Sequence, residues 1–436
     1  MANSPGASDS GGERRRSAPI RLVQTHLIPT AAAFMRTEAA GGVVLLVAVV
    51  IAMAWANSPF KDAYFDLWNE SITLGFGSLS VETDLHHIVN DGLMTVFFYV
   101  VGLEIKRELI EGELRRPRQA LLPVAGAAGG MALPALLYAS INIGGEGTDG
   151  WGIPVATDIA MAVGVMALLG PRVHPGIKVF LLALAIVDDL GGILIIALFY
   201  SAGLSFGALA VAGGLLGVIV LLRQLHVRVA PVYAVLAAGF WLAVLESGVH
   251  ATIAGVILAF LTSAGSREEV GESALDRMEQ LLHPWASFLV IPIFALANGG
   301  IEVTRDAIDG AVNGEIAPGI ALGLLVGKPA GILVSSFLVV TLGLASLPEG
   351  SNWRQIAGAG MLGGIGFTVS IFIAGLAFED GGLVEQAKMG ILVASVAAGV
   401  AGYAWLRLCC PASAPMLTAP VAGDVEAGVV DGGGSP

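Results

Sequence analysis

Residues 179–200 read VFLLALAIVDDLGGILIIALFY. A helix needs about 20 apolar residues to cross a bilayer, and this run supplies them. Yet it carries two adjacent carboxylates, Asp188 and Asp189, near its middle. One ionised side chain at that depth costs about 2.5–3.5 kcal/mol or more. A single aspartate could simply neutralise a buried lysine. Two side by side point to a site for a cation or a proton. Neighbours on a helix point about 100° apart, so the two carboxylates cannot share one partner. One is free to pair with a buried lysine while the other faces an aqueous funnel.

The surrounding composition places this run in a membrane protein. The chain of 436 residues is 55% hydrophobic and 13% charged, with a mean hydropathy of +0.80. That excludes a soluble globular class. Glycine makes up 59 residues, about twice the usual ~7% share, and small residues let helices approach closely in lipid. A net charge of -13 gives no sign of a nucleic-acid partner. The two cysteines, Cys409 and Cys410, are adjacent and define no disulfide framework. No GxxxxGK[ST] nucleotide loop is found, and nothing calls for a cofactor.

Twelve spans are predicted, at roughly 39–56, 88–109, 119–141, 152–169, 176–200, 205–222, 230–246, 248–264, 282–300, 318–342, 355–378 and 384–407. Spans seven and eight are joined by a tight hairpin at Glu246, Ser247 and Gly248. Lys and Arg crowd the cytoplasmic loops of membrane proteins. With the N-terminus inside, 18 of the 22 Lys and Arg fall on that side. Lys61, Arg305 and Lys388 fall outside, and Lys328 lies within the membrane. The asymmetry predicts an even number of spans with both termini cytoplasmic. Residues 1–37 are polar and carry Arg14, Arg15 and Arg16, so they read as a disordered cytoplasmic tail rather than a signal peptide. Residues 38–408 form the membrane domain, and 409–436 read as a second disordered tail.

The outer loop between the first two spans contains ITLGFGSLSVET, residues 72–83, which alternates like two strands around Gly75, Gly77 and Ser78. Its alternatives are a small β-hairpin and an irregular loop. A lone hairpin is marginal in water, and its open edges invite pairing with another chain. A second copy of the protein would satisfy both, so the hairpin reading implies a homodimer.

The remaining intramembrane charges are few. Asp158 follows Pro154 and Thr157 in a short fourth span, the pattern of a broken helix. Lys328 precedes Pro329 in span ten and needs a carboxylate or a dipole end. Span eleven holds Gly360, Gly363, Gly364 and Gly366, each disfavouring a continuous helix by up to about 1 kcal/mol, although close packing would also use them. Interrupted spans four and eleven occupy matching places in two units of three spans, about 119–200 and 318–407, with opposite orientation. Inverted-topology repeats with broken helices mark secondary transporters. A buried carboxylate holds a proton or a small cation, and competition at one site exposed alternately to each side suffices for antiport. An intramembrane aspartyl protease fits poorly, because Lys328 would disturb a dyad sharing one proton. A channel would draw its carboxylates or carbonyls around a symmetry axis.

Seven segments carry a family resemblance: VGLEIKREL at 101–109, ATDIAMAVGV at 156–165, FLLALAIVDDLGGILIIALFY at 180–200, SGVHATIAGVILAF at 247–260, LLHPWASFLVIPIFALANGG at 281–300, GKPAGI at 327–332 and GIGFTVSIFIA at 364–374. Over about residues 30–407 the chain resembles the NhaA-type sodium/proton antiporters of bacteria, which are themselves a type example of inverted repeats with broken helices. The resemblance implies an all-α polytopic protein of the cytoplasmic (inner) membrane, with a homodimer formed through the outer hairpin. It implies an electrogenic, pH-regulated exchange, with sodium or lithium leaving and a larger number of protons entering. Asp189 matches the principal sodium ligand and proton carrier. Asp188 matches the partner of Lys328, as a second ligand or as a pH-dependent salt bridge. Asp158 matches the group compensating the positive ends of the broken helices, Lys328 compensates the negative ends, and Thr157 adjoins the ion path. Glu104, Arg107, Glu108, Glu279 and His283 match a cytoplasmic pH-sensing cluster, although Glu104, Arg107 and Glu108 also read as an anchor at a helix end. His250 matches a histidine affecting pH response, although near Gly248 it also reads as a polar residue at a helix start, and Gln280 stands where a second histidine would be expected near His283.

Overall fold

The structure is a computed structural model that describes residues 39–76, 79–201, 203–227, 229–264, 273–348 and 350–410. The predicted N-terminal tail (1–37) with Glu38, the predicted C-terminal tail (409–436) beyond Cys410, and the hairpin turn at Gly77 and Ser78 lie outside the described residues. Fifteen helical stretches are named here in chain order. They are α1 (Ala39–Ala56), α2 (Lys61–Asn69), α3 (Leu85–Ile110), α4 (Pro117–Asn142), α5 (Ile159–Ala167), α6 (Pro175–Phe199), α7 (Phe206–Gln224) and α8 (Ala230–Leu245). The rest are α9 (Thr252–Leu261), α10 (Ala274–Asn298), α11 (Arg305–Asn313), α12 (Ile316–Thr341), α13 (Trp353–Gly363), α14 (Phe367–Ala377) and α15 (Gly381–Cys409). Among the described residues, nine helical stretches are long and apolar enough to cross a membrane, or ten if the bent pair α13 and α14 is one span.

Local chemistry sets the ends of these helices. Pro117 and Pro175 open α4 and α6, where a missing N–H costs nothing. Asp380 caps α15, accepting from Gly382 N at 2.7 Å and Leu383 N at 3.2 Å. Ser273 with Asp276, and Asn352 with Gln355, form reciprocal capping boxes on α10 and α13. Two stretches of π geometry, Ala286–Val290 and Gly323–Gly327, lie just before Pro292 and Pro329. Proline offers no N–H to the carbonyl one turn back, and the wider turn absorbs that loss.

The hairpin reading holds. Strands β1 (Ser71–Phe76) and β2 (Leu79–Asp84) pair antiparallel, with Ser71 opposite Asp84 and Phe76 opposite Leu79. Helix α2 lies beside the end of α10 and the chain that follows it: Lys61 Nζ meets Glu302 Oε1 at 2.6 Å, and the Tyr64 hydroxyl donates to the Leu296 carbonyl at 2.7 Å. Burial pushes the Tyr64 phenol up to about 12, so it remains a neutral donor.

Several boundaries differ from the sequence reading. Helix α10 begins at Ala274, eight residues ahead of the predicted start at 282, because its first turns are amphipathic rather than apolar. Helix α9 is only ten residues long, since residues 246–251 turn instead of continuing a helix and Gly248 takes a φ of 79°. The last helix runs to Cys409, two residues past the predicted span end at 407, and Cys410 is buried against Gln355.

The fourth and eleventh predicted spans leave helical geometry near their middles. A 3-10 segment, Thr148–Val155, ends at an extended stretch over 156–158 before α5 starts. Helices α13 and α14 are separated by residues 364–366 and bent by 45°. These segments sit deep in the bundle. The most apolar windows of Thr148–Ala167 and α6 are 67% buried, against 11% for α7, which shows which helices surround the centre. Helices α4 and α12 flank it, and their backbones touch where Gly129 faces Gly331.

A methyl group at Gly331 would run into the Gly129 carbonyl, and one at Gly213 would meet nothing within 4 Å. Gly331→Ala should therefore destabilise the protein by about 1–3 kcal/mol. Gly213→Ala should hold or raise the melting temperature. Thermal melts followed by size-exclusion fluorescence in detergent check both, and equal melting of the two variants would contradict this packing.

Candidate functional site

Breaking a helix inside a membrane leaves N–H and C=O groups without intrahelical partners, and no water is at hand to take them. The two broken segments meet back to back: Asp158 N donates to the Ile365 carbonyl at 2.6 Å. The Asp158 side chain then serves both helices that begin here. Its Oδ1 caps α5 through Met161 N at 3.0 Å. Its Oδ2 accepts from Thr368 N at 3.1 Å and from the Thr368 hydroxyl at 2.6 Å. One carboxylate thus answers two positive helix ends, where anions are favoured.

The negative ends are answered as locally. Lys328 Nζ donates to the carbonyl of Val155, the last residue of the 3-10 segment, and to Asp188 Oδ2 at 2.7 Å. The Thr157 hydroxyl lies 2.6 Å from Asp188 Oδ2 and 2.8 Å from the carbonyl of Gly363, the last residue of α13. Lys328, Asp188 and Thr157 are completely buried. Removing one partner of such a pair strands the other charge, at about 3–5 kcal/mol.

Asp189 is placed differently. It is also buried, at 3% exposure, yet it lines a pocket with Asp158, Thr368, Glu104 and His283. The pocket holds about 440 Å³ of free space, open mouth included. Among the described residues, Asp189 Oδ1 and Asp188 Oδ1 have no protein hydrogen-bond partner. The 100° separation read from the sequence is realised: Asp188 turns to Lys328, and Asp189 turns to the pocket.

Of the other predicted residues, four come together. Glu104 Oε1 lies 3.4 Å from His283 Nε2, and Arg107 is ion-paired with Glu279, joining α3 to α10. Glu104 and His283 also line the pocket that reaches Asp189. Glu108 is not bonded into this group; its Oε2 accepts from Glu113 N at 3.1 Å, within its own helix-end turn. His250 lies apart, with Nε2 2.5 Å from the Tyr200 carbonyl. Sequence reasoning did not single out Thr368, Ser370 or Ser395. The only signal for the first two was their place just after the glycines of span eleven, and Ser395 had none.

Apolar helices packed around buried aspartates and a lysine define a polytopic membrane protein. The family model described as Na+/H+ antiporter 1 matches residues 32–406. The chain is 48% identical over 382 residues to Na(+)/H(+) antiporter NhaA of Shewanella amazonensis, covering 87% of this chain and 97% of that protein. It is 48% identical over 380 residues to proteins of the same name from Shigella dysenteriae and Escherichia coli O157:H7, covering 86% of this chain and 97% of each. The chain belongs to the Na+/H+ antiporter 1 family and is a secondary transporter, not an enzyme.

Asp158→Ala would leave three buried donors, Met161 N, Thr368 N and the Thr368 hydroxyl, without their acceptor. Each unpaired buried group costs about 1–3 kcal/mol, so this variant should melt well below wild type. Asp158→Asn keeps one acceptor oxygen and should melt between the two. Melting curves in detergent rank the three proteins, and a stable Asp158→Ala would show that the donors are satisfied elsewhere.

Proposed function

We propose that this chain is an electrogenic, pH-regulated sodium(lithium)/proton antiporter of a bacterial cytoplasmic membrane, working by alternating access at Asp188 and Asp189. The observation that carries the reading is the pocket-facing Asp189, with an oxygen unclaimed by any described protein donor, beside an Asp188 held by Lys328. Carboxylate oxygens suit a small hard cation. A carboxylate out of water must be protonated, paired or bound to a cation, so sodium and protons compete for the same atoms.

Topology supports the reading. Helices α8 and α9 are apolar but short, at 16 and 10 residues. Counting both as spans, together with α13–α14 as one, gives twelve. An even count puts both termini on one side, and the Lys and Arg distribution makes that side cytoplasmic. The two broken segments then become helices four and eleven of inverted repeats over about 119–200 and 318–407, within a domain over 38–408 flanked by two tails.

Access follows from the pocket walls. Glu104 and His283, at the end assigned to the cytoplasm, line the pocket together with Asp189. Phe294 and Phe372 stand about one helical turn further along α10 and α14 than the pocket-lining Ile291 and Thr368. They pack with buried Phe98, at ring separations of 5.5 Å for Phe98–Phe372 and 6.3 Å for Phe294–Phe372. On this reading these rings cover the side opposite Glu104 and His283, and an outward path would form by rearrangement there. Glu104, Arg107, Glu279 and His283 bridge α3 and α10 at the open mouth, which suits titratable control of that mouth. Glu108 and His250 are weaker members of such a control, since each is engaged locally.

Asp189→Asn keeps size and polarity but removes the exchangeable proton and the full charge. It should abolish sodium-driven proton flux in proteoliposomes and the sodium-evoked current on a solid-supported membrane, while the protein still folds. Asp188→Asn should be severe and Asp158→Asn milder. Near-normal exchange by Asp189→Asn would overturn the mechanism.

Deleting residues 72–83 should weaken a homodimer joined by edge pairing of β1 and β2, leaving measurable transport because the ion site lies within one protomer. Light scattering after size exclusion reads the mass, and an unchanged dimer would remove the hairpin from the interface.

A further inference from the structure

We infer that Ser370 and Ser395 are positioning residues for the cation site, each completing the neutralisation of one broken-helix end of opposite sign. This rests on the reading of Asp188 and Asp189 as that site. Helix α14 begins after Gly366, which has no side chain to cap it. Its first N–H, on Phe367, donates to Ser395 Oγ of α15 at 3.2 Å. The next, on Thr368, goes to Asp158. The positive end is therefore met by one hydroxyl oxygen and one carboxylate. At the negative end of Thr148–Val155 the pattern is reversed. The Ser370 hydroxyl donates to the Ile153 carbonyl at 2.8 Å, and Lys328 donates to the Val155 carbonyl.

Both serines are buried, Ser370 at 0% and Ser395 at 4% exposure, so bulk water cannot take over either bond. A side chain at Gly366 would run into Ser370 Oγ and come within 3.2 Å of the Ala156 carbonyl. The missing side chain there leaves the space through which Ser370 reaches the neighbouring segment. These ends matter to a cation because Thr368, the residue next to the Ser395-capped N–H, lines the same pocket as Asp189. Asp189 Oδ1 has no described protein partner. The charged groups around Asp189 are Asp188, Glu104, Asp158 and Lys328, with His283 across the pocket. None of them is altered by changing either serine.

The two hydroxyls act on a bound cation with opposite sign. Ser395→Ala uncovers an N–H and adds positive field near the pocket, so the KM for sodium should rise about threefold. Ser370→Ala uncovers a carbonyl and adds negative field, so the KM should fall by about the same factor. A merely structural role would lower the yield of folded protein and kcat, and would not send KM in opposite directions. Ser→Thr at each position keeps the hydroxyl and should restore KM.

The test measures sodium KM and kcat at one alkaline pH in proteoliposomes for wild type, the two Ala variants, the two Thr variants and Asp189→Asn. Should an Ala variant fail to insert, Ser→Cys at that position replaces it. The thiol is a weaker donor and acceptor, and its shift should keep the sign. Opposite KM shifts reversed by Thr support the inference. Unchanged KM, or shifts in the same direction, overturn it. If Asp189→Asn is inactive while the serine variants do not diverge, this inference alone falls. If Asp189→Asn still exchanges sodium for protons, the site reading itself falls.

Discussion

Backbone groups inside a membrane have no water to turn to, and the centre of this protein is organised around that constraint. Two segments in contact with each other give up helical geometry, at residues 156–158 and 364–366. Doing so frees N–H groups on Met161, Phe367 and Thr368, and carbonyls on Ile153, Val155 and Gly363. Each of these finds a specific side chain: Asp158, Ser395, Lys328, Thr157 or Ser370. The polar residues that look out of place in an apolar sequence are the partners the broken backbone requires. They come from α12, α14 and α15 and from the loop before α5, so the break also fastens the bundle together.

The same constraint explains why two adjacent aspartates behave differently. Asp188 lies where Lys328 and Thr157 already stand to serve helix ends, and it is absorbed into that network. Asp189 is turned by one helical step toward the pocket, with Glu104 and His283 at its far side. A structural carboxylate and an available one therefore sit on consecutive residues. In this conformation the arrangement pairs one buried carboxylate with Lys328 and leaves its neighbour facing the pocket, without a second break in α6.

Much of this was legible in the sequence because it follows from short-range rules. The divergence of Asp188 and Asp189 is helical geometry. The breaks are announced by Pro154 and by the glycines at 360–366, and the hairpin by period-two alternation. What the sequence did not show depends on pairing across more than 200 residues: Thr368 with Asp158, and Ser370 with Ile153. A serine in an apolar helix looks the same whether it bonds its own turn, as Ser335 does to Gly331, or a distant one. Glu104 and Glu108 share a helical face, so spacing could not separate them. Only the fold shows that Glu108, at the helix end, is captured by Glu113 N. Helix α10 began early for a related reason: an amphipathic turn facing other helices is hidden from a search for apolar runs.

Charge accounting at the site limits how exchange could be electrogenic on the proposed reading. Asp158 is committed to three donors and is a poor carrier. With Asp188 and Lys328 as an ion pair, Asp189 alone would carry either one sodium ion or one proton. Both forms have the same charge, so that cycle is electroneutral. Moving more protons than sodium ions needs a second titrating group in the same place. The Asp188–Lys328 pair is the one available: a cation that takes an oxygen of Asp188 as well as of Asp189 competes with the ammonium for it. Lys328, deprived of that partner in a dry interior, then gives up its proton. On this argument the salt bridge does more than compensate helix ends. On the proposed reading, its making and breaking would turn a one-for-one exchange into one that carries current, with the stability it lends the bundle lost and regained in each cycle.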